Sequence, residues 1–177
     1  MLDNLEKELK NFAKYVVTKS RMNLRSSGKN SSGVLSKSLD SEVKVSKNSF
    51  QLEFLMEEYG IFQDKGVKGK SSSSKAPNSP FRFGSGTGRK GGLTEGINKW
   101  VQRKRFQFRD RKSGRFLSYK STAFLISRSI YQKGIAPSMF FTKPFEKAFK
   151  GLSKDLLKPF KLDIENFMNN TIKDNFK

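Results

Sequence analysis

Apolar side chains recur every three or four residues at the start of the chain, which places them on one side of an α-helix. They are Leu2, Leu5, Leu9, Phe12 and Val16. Asp3 or Asn4 is suited to cap the beginning of such a helix, and the Ser-Ser-Gly sequence at 26–28 is suited to end it. The pattern therefore predicts an amphipathic helix over about the first 25 residues.

The spacing then changes to an alternation of polar and apolar residues, which is typical of a β-strand with one covered face. Val43 and Val45 alternate with polar residues, and a second alternating set consists of Phe50, Leu52, Phe54 and Met56. Residues 47–49 between the two sets suit a tight turn. We predict an antiparallel hairpin at about 42–56, covered on its apolar face by the N-terminal helix. Residues 34–39 fit either a further strand or a short helix.

Helical spacing returns in the second half of the chain. Thr94 is a candidate N-cap for a helix at 95–104, and a second helix is predicted from Ser121 to a stop at Gly134. Residues 106–116 lie between these helices and are basic and turn-rich. They fit either a hairpin or a mobile loop.

The C-terminal third is predicted to hold a short strand at 139–142 and a helix with Pro144 in its first turn that continues to Lys150. A final helix would be capped by Ser153, and Pro159 is expected to kink it or delay its start. The side chains expected to face inward from this last helix are Leu156, Leu157, Phe160, Ile164 and Phe167.

These elements indicate a single α+β domain over residues 1–177, with 151–177 as a C-terminal helical segment. A small antiparallel sheet would be packed by the N-terminal helix and the C-terminal helices. The remaining stretch, 64–92, is a long extended loop rich in glycine, serine and lysine that also contains Phe81 and Phe83. Structureless stretches of this length are uncommon inside compact domains and are often functional. We expect this loop to become ordered against another molecule.

The chain is strongly basic, with 36 Lys and Arg residues against 16 Asp and Glu residues and a net charge of +20. Within 99–120, Asp110 is the only acidic residue. The basic side chains there that we expect to contact a partner or DNA are Arg103, Lys104, Arg105, Arg109, Arg111, Lys112 and Arg115. They could neutralise phosphates while Phe106 or Phe108 stacks on bases. A solvated basic face and a surface for an acidic protein are alternatives that the sequence leaves open.

Groups suited to catalysis are sparse. The chain has no cysteine and no histidine, which removes disulfides, thiolate nucleophiles, imidazole bases and the usual zinc ligand sets. Residues 86–91 fit the G-x-G-x-x-G pattern but lack the buried strand and the acidic residue that dinucleotide binding requires. Glu57 and Glu58 would point to opposite faces of a strand. We therefore expect no enzyme activity, cofactor, catalytic site or metal site, and the absence of a long apolar run argues against a membrane partner.

The order of several segments resembles the neck and tail-completion proteins of tailed bacteriophages. After the N-terminal helix and the hairpin come Tyr-Gly-Ile-Phe-Gln-Asp-Lys-Gly-Val-Lys-Gly at 59–69, Trp100 on a helix, 123–130, and Gly-Ile-Ala-Pro-Ser-Met-Phe-Phe at 134–141. Two further segments, 79–88 and 141–149, are similar to the expanded form of the family in crAss-like phages. The motifs describe turns and packing and contain no catalytic signature.

This resemblance implies a structural role at the head–tail junction of a virion that is assembled in the host cytoplasm. Such proteins are α+β subunits that form a closed homo-oligomeric ring below the portal. Their partners are neighbouring subunits, the portal or an adaptor ring, and tail proteins. On this chain the resemblance implies that the contact residues are Tyr59, Phe62, Asp64, Val67, Phe81, Phe83, Met139, Phe140 and Phe141. The basic stretch would face an acidic ring or hold the end of the packaged genome.

A basic nucleic-acid-binding protein that uses 99–120 is the alternative function, and a phage enzyme with an atypical site is a weaker one. Binding of DNA by the monomer, with a steep loss of affinity as salt is added, would favour the first alternative. A closed multimer would argue against most enzymes.

Overall fold

The computed structural model of the protein describes residues 3–28, 31–46, 49–86 and 91–175. Within these residues the fold is α+β, with six helices and four strands. Contacts divide the chain into two compact units. The first unit is Met1–Gly60 together with Met139–Lys177, and the second unit is Ile61–Ser138.

In chain order, the elements are α1 (Asp3–Ser26), α2 (Val34–Ser38), β1 (Asp40–Ser46), β2 (Ser49–Leu55), α3 (Tyr59–Lys65), β3 (Val67–Lys68), α4 (Gly92–Lys104), α5 (Tyr119–Lys133), β4 (Gly134–Ile135) and α6 (Thr142–Asn175).

The predicted hairpin is present in the first unit. Strands β1 and β2 pair antiparallel, from Asp40 opposite Leu55 to Ser46 opposite Ser49. The turn residues Lys47 and Asn48 lie outside the described residues. Of the two possibilities left open for 34–39, the helix is the one observed.

Helix α1 packs against α6 and contacts both strands of the hairpin, which confirms the predicted architecture. The apolar side of α1 is buried at Leu5, Leu9, Phe12 and Val16, while Leu2 lies outside the described residues. The core cluster of the first unit comprises Val17, Leu24, Leu35, Leu39 and Phe140. Polar side chains of α1 also satisfy backbone groups, since Arg21 Nε donates to the carbonyl oxygen of Ser36 at 3.0 Å.

A buried carboxylate on α6 accepts hydrogen bonds from the beginning of α1. Asp163 is 4% exposed and lies at the beginning of α1. Its Oδ2 accepts a hydrogen bond from the backbone N–H of Leu5 at 3.0 Å, and its Oδ1 accepts one from Asn4 Nδ2 at 2.7 Å. The first backbone N–H groups of a helix have no partner within the helix and carry a partial positive charge. Asp163 therefore caps a helix from which it is 158 residues distant in sequence.

We predict that Asp163→Ala lowers the free energy of unfolding by about 2 kcal/mol, because it removes hydrogen bonds to a charged acceptor and leaves a buried N–H group without a partner. Urea denaturation measures this loss. The matched control is Asp155→Ala, which removes an exposed carboxylate from the same helix. Equal stabilities of the two variants would show that Asp163 has no capping role.

The prediction of a strand at 139–142 is wrong. Met139 adopts a left-handed backbone conformation with φ of 53°, and its carbonyl oxygen accepts from the N–H of Lys143 at 3.2 Å. The segment therefore turns directly into α6. Its apolar residues contribute to the core and do not pair with a strand. Phe140, for example, is almost fully buried.

Two further predictions for the C-terminal third are also wrong. One continuous helix, α6, replaces the two predicted helices and contains Pro159 in its interior. Three side chains expected to face inward, Leu157, Phe160 and Ile164, are exposed. The side chain of Phe167 lies outside the described residues.

The second unit contains α4 and α5, which pack against each other, and the antiparallel pair β3–β4. Helix α4 begins at Gly92 after a left-handed Gly91, so the predicted cap at Thr94 is wrong. Helix α5 is capped by Ser118 and stops at Gly134, as predicted for its end. Among the described helices, none has the length and apolar character needed to cross a membrane.

Candidate functional site

Much of the long loop is folded against its own unit. The N–H of Lys68 donates to the carbonyl oxygen of Phe81 at 2.8 Å, and the N–H of Phe83 donates to the carbonyl oxygen of Lys68 at 2.9 Å. Arg82 thereby forms a parallel bridge with β3, which also pairs with β4. The expectation that the loop needs another molecule for its order is thus wrong for residues 65–83. Residues 87–90 lie outside the described residues.

Side-chain hydroxyl groups reinforce this arrangement. Ser79 is buried, and its Oγ donates to the carbonyl oxygen of Gly66 at 2.7 Å while accepting from the N–H of Phe81 at 3.1 Å. Ser71 hydrogen-bonds the side chain of Gln132 at the end of α5. The loop is therefore connected to β3 and to α5 by polar contacts as well as by its aromatic rings.

The two aromatic residues of the loop pack on neighbours within the second unit. The Phe81 ring meets Phe62 edge-on, with 4.7 Å between ring centroids. Phe83 lies against Tyr131 at 5.7 Å. Both loop rings are half-buried. Each ring thus packs within the second unit and remains partly exposed.

The other predicted contact residues divide by burial. Asp64 and Val67 are buried in the second unit and Phe140 in the first, so they can act on a partner only by shaping the surface around them. Met139 and Phe141 are half-buried. Tyr59 and Phe62 are the exposed members of the predicted set. Partial burial, assisted by the carboxylate of Glu57, raises the pKa of Tyr59 above its ordinary value.

Glycines permit a very close approach of backbone segments around β3. A Cβ atom on Gly69 would press against the carbonyl oxygen of Gln132 and lie 2.7 Å from the backbone nitrogen of Gly134. Gly66 has φ of 73°, and a Cβ there would lie 2.6 Å from the carbonyl oxygen of Ile135. Because these neighbours are backbone atoms, they cannot rotate aside as a side chain can.

We predict that Gly69→Ala destabilises the second unit by about 2 kcal/mol or more, because the methyl group must displace the end of α5 or β4. Thermal and urea unfolding measure the effect. Gly96→Ala is the matched control, since Gly96 lies inside α4 with open space around its Cβ position. That control should gain up to about 1 kcal/mol from helix propensity. A neutral Gly69→Ala variant would contradict the close approach.

A second set of residues in the same unit combines charge with aromatic rings, of which three are exposed and that of Trp100 is half-buried. We call it the basic aromatic surface; it comprises Trp100, Phe106, Phe108 and Phe116 together with Arg103, Lys104, Arg105, Arg109, Arg111, Lys112 and Arg115. All of the basic side chains in this set are exposed, as the sequence indicated. These basic side chains lie at the C-terminal end of α4 and along the turn-rich segment after it.

Helix α4 ends abruptly at this surface. Arg105 adopts the left-handed conformation with φ of 50°, and its N–H donates to carbonyl groups of the last helical turn. The N–H of Phe106 then donates to the carbonyl oxygen of Val101 at 2.9 Å. This reversal directs the chain from the helix into the extended residues 106–108.

Residues 106–117 form a small hairpin, which is one of the two structures that the sequence left open. The N–H of Asp110 donates to the carbonyl oxygen of Arg115, and that of Leu117 donates to the carbonyl oxygen of Phe108, each at 2.8 Å. In the turn, Asp110 Oδ1 accepts from the N–H of Ser113 at 2.7 Å and from its Oγ at 2.8 Å. These hydrogen bonds hold the pKa of Asp110 below its ordinary value.

A depressed pKa in the folded turn means that the ionised carboxylate stabilises the turn above the ordinary pKa of about 3.8, and that this effect disappears as pH falls through the lower, folded pKa. We predict that the Ser113 amide resonance shifts with a midpoint below pH 3.8. NMR titration measures it. The control is Asp110→Asn, in which the resonance should not titrate. A midpoint at or above the ordinary value would contradict the hydrogen-bonded turn.

Among the described residues, no group of three or more carboxylates is arranged to hold a metal ion. No protein-family model, curated protein or solved structure matches the chain. The functional interpretation therefore depends on the folded loop, on the basic aromatic surface and on the exposed apolar side chains of α6.

Proposed function

We propose that the protein is a structural subunit of the head-to-tail connector of a tailed bacteriophage, where it forms a closed homo-oligomeric ring below the portal. The observation that carries the proposal is the convergence of the segments that resemble this family. Residues 59–69 supply β3, residues 134–141 supply β4, and residues 79–88 supply Arg82 bridged to β3. Segments that are distant in sequence thus build one compact backbone motif.

The folded loop supports assembly by a surface that exists before a partner arrives. A loop that orders only on binding loses conformational entropy at that step and weakens the association. Hydrogen bonds to β3 and the contact of Phe81 with Phe62 already fix residues 65–83 in the subunit. The proposed ring therefore joins largely preformed surfaces.

An apolar stripe on α6 is the surface that we assign to a neighbouring subunit. Phe149, Leu157, Phe160 and Ile164 are all exposed, and Leu157 is 66% exposed. At 100° per residue these four positions fall within a sector of roughly 80° around the helix. Contiguous exposed apolar side chains on a soluble protein commonly mark a protein–protein contact. We call these four residues the α6 stripe.

A closed ring requires that the α6 stripe meet a different patch on the next copy, because ring interfaces are heterologous. Tyr59 in the first unit and Phe62 in the second are separate exposed aromatic candidates for that patch. Each subunit carries a net charge of +20, so copies repel one another. Added salt screens this repulsion and should favour the ring.

We predict that Leu157→Lys and Phe160→Lys abolish the multimer, because each places a charge in the proposed subunit contact. Mass photometry of the full chain at moderate salt, with and without the portal, measures assembly. The matched control is Leu162→Lys. Leu162 is also exposed, at 52%, but lies on the opposite side of the same helix from the α6 stripe.

The expected result is a closed multimer for the unaltered protein and for Leu162→Lys, and monomers for the two stripe variants. A protein that stays monomeric under all conditions would overturn the ring. Multimers that persist in both stripe variants would overturn the assignment of α6. In infected cells, the stripe variants should leave heads and tails unjoined.

A further inference from the structure

We propose that the basic aromatic surface is a binding site for single-stranded nucleic acid, in which rings stack on bases and basic side chains contact phosphates. This activity goes beyond a ring-forming role and does not depend on it. The site lies entirely within the second unit, whereas the α6 stripe lies in the first.

Three of the rings, those of Trp100, Phe106 and Phe108, form a series of contacts. Phe106 and Phe108 are two residues apart in an extended segment, so their side chains lie on the same side, with ring centroids 5.3 Å apart. Phe106 also contacts Trp100 at 6.1 Å. Phe106 and Phe108 are nevertheless exposed. Exposed rings of this kind can stack on bases of any sequence.

A preformed stack of cation on ring lies on the opposite face of the hairpin from Phe108, because Arg109 is the next residue along the strand and pairs directly with Phe116. The guanidinium carbon of Arg109 lies 4.5 Å from the centroid of the Phe116 ring, across the bridge that pairs these two residues. Phe116 is 61% exposed, so much of its ring still faces solvent. A base could therefore stack on Phe116 while Arg109 stays positioned for a phosphate.

The charge of the surface is almost uncompensated. Arg111 and Lys112 lie exposed in the hairpin turn, and Asp110 is the only carboxylate between residues 99 and 120. The Asp110 carboxylate already accepts hydrogen bonds from Ser113 and Lys112 within the turn. The surface thus has a strong attraction for a polyanion and a turn that needs no partner to form.

The exposed aromatic rings indicate which class of polyanion fits this surface. A DNA duplex presents phosphates but keeps the faces of its bases stacked internally, so it would use only the basic side chains. An acidic protein surface would likewise use mainly the charges. Single strands offer both phosphates and exposed base faces, and they alone use all of the observed features.

Fluorescence anisotropy of the full chain with labelled oligonucleotides tests the site. Three probes have about 12 nucleotides each: oligo-dT, an abasic strand with the same phosphates, and a duplex. We expect oligo-dT to bind about tenfold more tightly than the abasic strand, because stacking contributes at each base. An oligo-rU arm distinguishes RNA from DNA as the preferred strand.

Variants separate stacking from charge. Phe108→Ala and Phe116→Ala should each weaken oligo-dT binding about tenfold and leave the abasic strand unaffected. Arg111→Gln should lower the salt slope by about 0.7 for both strands. Tyr15→Ala is the matched control, since Tyr15 is an aromatic residue exposed to the same 38% as Phe108 and lies near Lys19, but in the first unit. It should bind as the unaltered protein does.

Three results would overturn the proposal. They are equal affinities for oligo-dT and the abasic strand, tighter binding of the duplex than of oligo-dT, and displacement of oligo-dT by polyglutamate as readily as by unlabelled oligo-dT. Circular dichroism of each variant shows whether its fold is intact. Phe108 and Phe116 are exposed to different extents, 38% and 61%, and are not both part of one packed cluster, so a loss in both variants with an intact fold points to a shared ligand.

Discussion

The second unit depends on the backbone of one short strand, β3, being shared between two neighbours. Lys68 exchanges hydrogen bonds with Phe81 and Phe83, and the same strand pairs with β4 at the end of α5. Gly69 and Gly134 make this possible, because any larger residue would place an atom inside a neighbouring backbone. Few apolar side chains are needed for such a motif, since its polar backbone groups satisfy one another.

Periodicity predicted the elements that carry their own amphipathic pattern. Helix α1 and the β1–β2 hairpin follow from spacing alone, because each has one apolar face, which is buried in α1 and half-buried at Val43, Leu52 and Phe54 of the hairpin. Residues 65–83 could not be predicted in this way, since non-local backbone hydrogen bonds hold them and leave no periodic trace. The 139–142 strand failed for a related reason. Its apolar residues lie in a turn and pack into the core. Met139 adopts a left-handed backbone conformation, which the spacing of apolar residues does not reveal.

The candidate site was only partly visible in the sequence. The basic side chains that the sequence predicted as contacts of a partner or DNA are exposed in the structure, because charge seldom tolerates burial without a partner. The contact of Arg109 with Phe116 depends on the register of the hairpin. The sequence did not determine that register, because residues 106–116 fitted either a hairpin or a mobile loop. Leu157, Phe160 and Ile164 of the α6 stripe were predicted to face the core, because a helical spacing of apolar residues does not show which stripes a neighbour covers.

Local conformation supports a role for the basic aromatic surface that stability alone does not explain. A non-glycine residue in the left-handed region costs about 1 kcal/mol, and glycine would avoid that cost at Arg105. Exposure of Phe106, Phe108 and Phe116 likewise forgoes the free energy that burial would provide. Strained residues and exposed rings that occur together are typical of sites that act on another molecule. Added salt weakens both the repulsion among copies and the attraction to a polyanion, so it should favour assembly and disfavour nucleic-acid binding, and one salt titration can separate the two.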